Sequence, residues 1–149
     1  MNKFLSFLLT AAFIITMSGC SKSAEDKLTG HAWKATGMLL TLSTGETFDF
    51  FALFVQDCDK DDFSTFNENG TITADEGATK CEPTAPQTYD AGTWMLNDAG
   101  DVLTITEDGE STTFNITTLS SDKLEATYTY VDEEDPDLSG TIKITWVKP

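Results

Sequence analysis

The chain of 149 residues contains no arginine and a single histidine, His31. Without a guanidinium fork it lacks the planar, bidentate grip used on phosphates and carboxylates. With 25 acidic residues against nine lysines it carries a formal charge of −16, and it repels nucleic acid and anionic lipid headgroups alike. Nucleic-acid binding is excluded on that ground. The lone histidine also narrows catalysis, because any Ser-His-Asp arrangement would have to pass through His31. Cysteine is scarce, with three residues, and so is proline, with four. One long apolar run exists, Phe4 to Met17, and it is too short for a stable membrane span. No internal repeat and no linker-like segment divides the chain, which predicts one domain.

That apolar run follows a basic start at Lys3, and the pair reads as a secretory signal over residues 1–19. It ends in Met17-Ser18-Gly19-Cys20, which resembles the lipobox of bacterial lipoproteins, with Met17 where that family more often has leucine. An ordinary signal peptide with an incidental cysteine is the alternative. The resemblance implies a lipidated, palmitate-bearing Cys20 as mature N-terminus and a membrane partner through that anchor. It places the protein in the bacterial cell envelope, on the outer membrane, facing the periplasm or the cell surface. Each buried CH₂ of such a lipid contributes about 0.8 kcal/mol, so several acyl chains hold firmly.

Residues 20–28 are polar and aperiodic and read as a lipidated tether, leaving residues 29–149 as the folded domain. Beyond Cys20 lie eight lysines and all 25 acids, a formal charge of 8 − 25 = −17. With Cys20 acylated, Cys58 and Cys81 remain, and an exported chain would oxidise them to a disulfide. Two thiolates do not make a zinc cage, so no metal is expected there.

After residue 29 the dominant signal is period two. "GTIKITWVK" alternates Ile142, Ile144 and Trp146 with Lys143 and Thr145, and "DKLEATYTYV" alternates Leu124, Ala126, Tyr128 and Tyr130 with polar neighbours. "STTFNITTL" and "DVLTITED" do the same, with Asn69-Gly70, Ala99-Gly100 and Asp108-Gly109 as turns between strands. The pattern predicts strands near 31–41, 62–66, 70–75, 89–96, 101–107, 111–118, 122–131 and 139–148. Eight meandering strands leave two open edges unless they close, so the expected fold is all-β: an eight-stranded antiparallel up-and-down barrel. "GETFDFFALFVQDC" is too apolar for a floppy loop. Phe48, Phe51, Ala52 and Val55 recur at helical spacing there, predicting one short helix between the first and second strands, capped by Thr44 or Thr47.

Two acidic stretches invite a cation. Asp57, Asp59, Asp61 and Glu68 fall at calcium-loop positions, but Asp62 stands where the loop turns on glycine and Ser64 where an apolar residue is usual. "VDEEDPDLSG" offers Asp132, Glu134, Asp135 and Asp137 in a loop marked by Pro136 and Gly140. Both read as solvated loops. No catalytic residue, no cofactor and no metal is expected, and the chain is read as non-enzymatic and monomeric.

The ordered pieces "LTGHAWKAT", "DCDKDDFSTFNENGT", "GATKCEP", "GTWMLND", "LTITEDGESTTFNITTLSSDKLEATYTY" and "TIKITWVK" together resemble the small lipocalin-like lipoproteins of Bacteroidetes envelopes. The resemblance implies an up-and-down barrel and a role in holding an apolar ligand. True lipocalins carry G-x-W in the first strand, with the tryptophan closing the barrel floor against a late arginine. Here Gly30 and Trp33 are separated by two residues and the arginine is missing, so the floor has to be built differently. An eight-stranded barrel can be filled by side chains or can hold one small ligand. In the first case the protein is a structural or interaction module with an acidic partner-facing surface. In the second, Trp33, Trp94, Phe114, Tyr128, Tyr130 and Trp146 line the site of a small apolar or amphipathic molecule.

Overall fold

Period-two alternation becomes, in a computed structural model that describes residues 23–149, nine antiparallel strands among the described residues. The signal segment and Cys20 lie outside the described residues. The strands are β1 (Ala32–Leu42), β2 (Thr47–Asp49), β3 (Phe63–Phe66), β4 (Thr71–Asp75), β5 (Thr88–Leu96), β6 (Val102–Glu107), β7 (Glu110–Leu119), β8 (Lys123–Tyr130) and β9 (Gly140–Val147). From β3 onwards each pairs with the next, and β1 closes the ring. Ala32 and Trp33 pair with β3, while Lys34 to Leu42 pair with β9 from Val147 back to Gly140. Eight strands therefore form a closed up-and-down barrel with no unpaired edge, as the pattern implied. The ninth, β2, is a three-residue arm paired with Leu39–Thr41.

Alternation sets the inside. Leu40, Leu42, Ile72, Trp94, Leu103, Phe114, Leu124, Ala126, Ile142 and Ile144 are buried and cluster along the barrel interior. The tight turns follow local chemistry. Asp108 and Gly109 both adopt positive φ, 50° and 85°, as the two-residue β6–β7 hairpin requires. Gly92, at φ 104° in β5, lies so close to the Thr106 carbonyl that any Cβ there would collide with it.

Two expectations change. The segment read as a tether is folded from Ser23 on: α1 (Ala24–Leu28) is a helical turn closed by a capping box between Ser23 and Asp26. Leu28 at its end is completely buried. One leucine at the edge of a polar run has no period to betray it. The helix after β1, α2, spans only Phe50–Phe54, and Asp49 caps it through the Ala52 N–H at 3.0 Å. Thr47 and Phe48, expected within or capping that helix, are instead held in register against Thr41 and Leu40, and Thr44 lies in the turn before them.

Candidate ligand-binding site

The two ends of the barrel differ in kind. At one end gather α1, the start of β1, the β7–β8 turn and the last residues of β9. Leu28, Trp33, Leu103 and Leu124 are fully buried there. The Trp33 indole N–H donates to the Leu28 carbonyl at 2.7 Å, and its ring lies 4.5 Å from that of His31. Trp94 donates to the Asn67 carbonyl at 3.0 Å and meets Phe66 edge-on at 5.8 Å. The floor is thus plugged by Trp33 held on a helical turn, with no need of the arginine it lacks. Both indole N–H groups are already satisfied, and the only histidine is packed against the plug.

The opposite end is built by α2 with its β2 arm, the disulfide-linked residues 55–62 and 76–87, the β6–β7 hairpin and the loop between β8 and β9. Inside the barrel Phe114, paired with Leu103, meets Tyr128 edge-on at 5.2 Å and Trp146 at 6.3 Å. At the mouth a separate set forms, in which Tyr130 lies 6.1 Å from Phe50 and Phe50 meets Phe54 at 4.9 Å. Burial, and then the neighbouring Tyr130, push the Tyr128 hydroxyl above its ordinary pKa. Of the six aromatics expected at a ligand wall, Phe114, Tyr128 and Trp146 form one ring cluster inside the barrel, while Tyr130 joins Phe50 and Phe54 at the mouth. Trp146, paired with Leu124, lies with Trp33 and Trp94 towards the packed end.

Three concavities open at the aromatic end. One, of about 430 Å³, lies between the end of β1 and the β8–β9 loop beside Leu42 and Val131. A second, of about 470 Å³, lies at the β6–β7 hairpin over Ile105 and Phe114 and is rimmed by Glu107, Asp108 and Glu110. The third is a groove of about 230 Å³ between α2 and the β8–β9 loop, walled by Leu40, Phe48, Phe50, Leu53, Phe54 and Leu138 beside Tyr130 and Asp132. Its outer wall is unusually bare: Leu53 is 64% and Phe54 70% exposed. The sequence reading missed this wall. The signal was present in "FDFFALF", whose apolar residues outnumber those that a five-residue helix can bury.

Asp132 is the polar end of the groove. One carboxylate oxygen accepts the N–H groups of Glu134 (3.0 Å) and Asp135 (2.9 Å), and the other receives the Tyr130 hydroxyl at 3.2 Å. The backbone donors of Asp135 and Glu134 outweigh the effect of desolvation and hold Asp132 below the ordinary carboxylate range. The same contact, led by the hydrogen bond to Asp132, raises Tyr130.

The acidic stretch before β3 is organised differently from a calcium loop. Asp57 pairs with Lys60 at 2.7 Å. Asp61 accepts from the N–H groups of Ala78 and Thr79, and Glu68 lies at the far, plugged end beside Asp26 and Lys27. The template residues therefore do not converge. Cys58 and Cys81 form a disulfide, so the grouping Cys58, Asp59, Cys81 has no thiolate to offer. The Asp59 carboxylate lies 2.9 Å from Sγ of Cys81, a close contact rather than a hydrogen bond, since a disulfide sulfur carries no proton. In the second acidic loop Asp132 caps Glu134 and Asp135, and Asp135 accepts from the Asp137 N–H, so these carboxylates serve the turn itself.

A plugged floor, an up-and-down barrel and an aromatic mouth agree with one comparison: the model of the lipocalin-like domain matches residues 28–126. The chain belongs to the lipocalin-like domain family. The match begins at the buried Leu28, includes the plug and the disulfide corner, and stops within β8, so the strand that closes this lipocalin-like barrel lies beyond it. A search of curated proteins returns no match.

Proposed function

We propose that this lipocalin-like domain is a non-catalytic binding module that takes a small apolar or amphipathic molecule at its aromatic end. The observation carrying this reading is the solvent-exposed apolar groove beside Tyr130. Folded chains rarely leave large apolar side chains grouped in a concavity without an occupant. Because buried Leu28 and Trp33 close the barrel interior at the other end, the ligand sits in the mouth rather than deep in the barrel.

The proposal includes a lipid on Cys20 and a place in the bacterial cell envelope, on the outer membrane. In support, the described residues start at Ser23 on the plugged end. Three residues reach about 10 Å at most, so an anchor on Cys20 would hold the floor near the bilayer and point the mouth away.

A second reading is favoured by the plug itself: a barrel filled by side chains could serve as an interaction module presenting its acidic face. Titration with the neutral apolar fluorophore N-phenyl-1-naphthylamine separates the two. Saturable fluorescence enhancement, weakened at least about tenfold in Phe54→Asp with an unchanged circular-dichroism melt, supports the ligand reading. Absence of enhancement in the unmodified chain supports the filled module.

A further inference from the structure

We propose that the groove between α2 and the β8–β9 loop takes a cationic amphiphile, an amine or quaternary ammonium head on an apolar chain. This rests on the ligand reading above and specifies the charge of the ligand. Asp132 is the one charged side chain lining the groove, set at one end of walls that are otherwise almost wholly apolar. Its orientation is fixed, because two backbone N–H groups hold one oxygen and the Tyr130 hydroxyl holds the other. An ionised carboxylate has about four acceptor positions, so room remains on the oxygen facing Tyr130.

The surroundings point to the same sign of charge. Residues 43–62, 76–87, 107–110 and 131–139, which lie at this end, carry sixteen carboxylates against two lysines, Lys60 paired with Asp57 and Lys80 donating to the Ala85 carbonyl, and neither lines the groove. A fatty acid would bring its own carboxylate into that field with no cation in the groove to meet it, whereas an ammonium head would be drawn to it. The rings of Tyr130 and Phe50, 6.1 Å apart, supply the faces that attract a cation at short range. At about 230 Å³ the groove is smaller than the roughly 300–1,000 Å³ typical of drug-sized sites, which favours a single chain over a bulky ring system.

Calorimetric titration with decyltrimethylammonium, decanol and decanoate at about 0.15 M salt tests this, since distant charges are then screened. The cation should bind about tenfold more tightly than decanol, with decanoate weakest. Asp132→Asn should bring the cation and decanol to within about twofold. Glu133→Gln, which removes the same charge from an exposed neighbour outside the groove, should keep the preference. Equal binding of decanol and the cation, or a preference that survives Asp132→Asn, overturns the proposal and leaves the ligand reading standing. If none of the three binds, the ligand reading itself fails and this inference with it. Should Asp132→Asn disturb the loop it caps, Phe54→Ala decides: it should weaken all three ligands alike and preserve their order, and a changed order contradicts the proposal.

Discussion

Asp61 and Thr79 tie together the two loops that the Cys58–Cys81 disulfide also joins. The Asp61 carboxylate accepts from Thr79 through both its N–H (3.0 Å) and its hydroxyl (2.9 Å), and from the Ala78 N–H at 2.8 Å. Burial pushes this carboxyl upwards, but the bonds from Thr79 and Ala78 outweigh it and leave the group below its ordinary range. The corner is therefore held twice, once covalently and once by a charge-assisted fork.

From this arrangement it follows that the disulfide acts mainly on the unfolded chain. With a sequence separation of 23, its loss in the Cys58→Ser, Cys81→Ser double variant should cost about 3 kcal/mol in the chain-entropy account. Urea denaturation reads that loss, and amide spectra of β3 and β4 should stay native. Loss of those signals in the double variant would show that the Asp61 fork does not hold the corner.

Asp62 works against the fold at neutral pH. Desolvation, then the charges of Glu76, Asp59, Asp61 and Asp75, push it from 3.8 up to about 6. An acid whose folded pKa is the higher one binds more protons in the folded state between those values. Stability consequently falls as pH rises from about 4 to 6, and the penalty is complete above that window. Asp57, Asp61, Glu125 and Asp132, all lowered, act oppositely: their contribution is present above about pH 4 and is lost on further acidification. Asp62→Asn should raise the Tm near pH 7 more than near pH 4, and an equal gain at both would exclude the assignment.

Leu28 makes α1 part of the domain. Leu28→Ala should destabilise by about 2–5 kcal/mol, the usual cost of truncating a fully buried leucine, although the residue precedes the first strand. Thermal or urea unfolding measures this, and a change below about 0.5 kcal/mol would restore the tether reading.

Gly92 is expected to tolerate no side chain. Its φ of 104° and the Thr106 carbonyl beside it both oppose a Cβ, so Gly92→Ala should cost more than about 1 kcal/mol and loosen β5 against β6. Hydrogen exchange at Thr93 and Thr106, which lie opposite each other, would report the loosening.

Much of this architecture was readable beforehand because strand alternation and turn chemistry are local. Ile142, Ile144 and Trp146 announced β9, and Asp108-Gly109 announced a hairpin, without knowledge of any partner. The parts that escaped depend on pairing across distance. Thr47 to Asp49 looked helical until β1 claimed their backbone, and Leu28 gained its importance only when Trp33 bonded to its carbonyl. The site was half legible for the same reason. Aromatic residues in strands were visible as a set, but which of them face the plug and which the mouth depends on barrel closure. Asp132 could not be told from its acidic neighbours, since only the turn that folds back on it gives it a fixed place beside Tyr130.

The central claim is that a ligand enters at the aromatic end while the opposite end stays packed. Titrating decyltrimethylammonium into isotopically labelled protein and following chemical shifts residue by residue tests it most directly. The account predicts saturable changes at Phe50, Leu53, Phe54, Tyr130 and Leu138, with the indole N–H signals of Trp33 and Trp94 unmoved. Changes centred on those two indoles, or scattered over the outer face of the barrel, would contradict it.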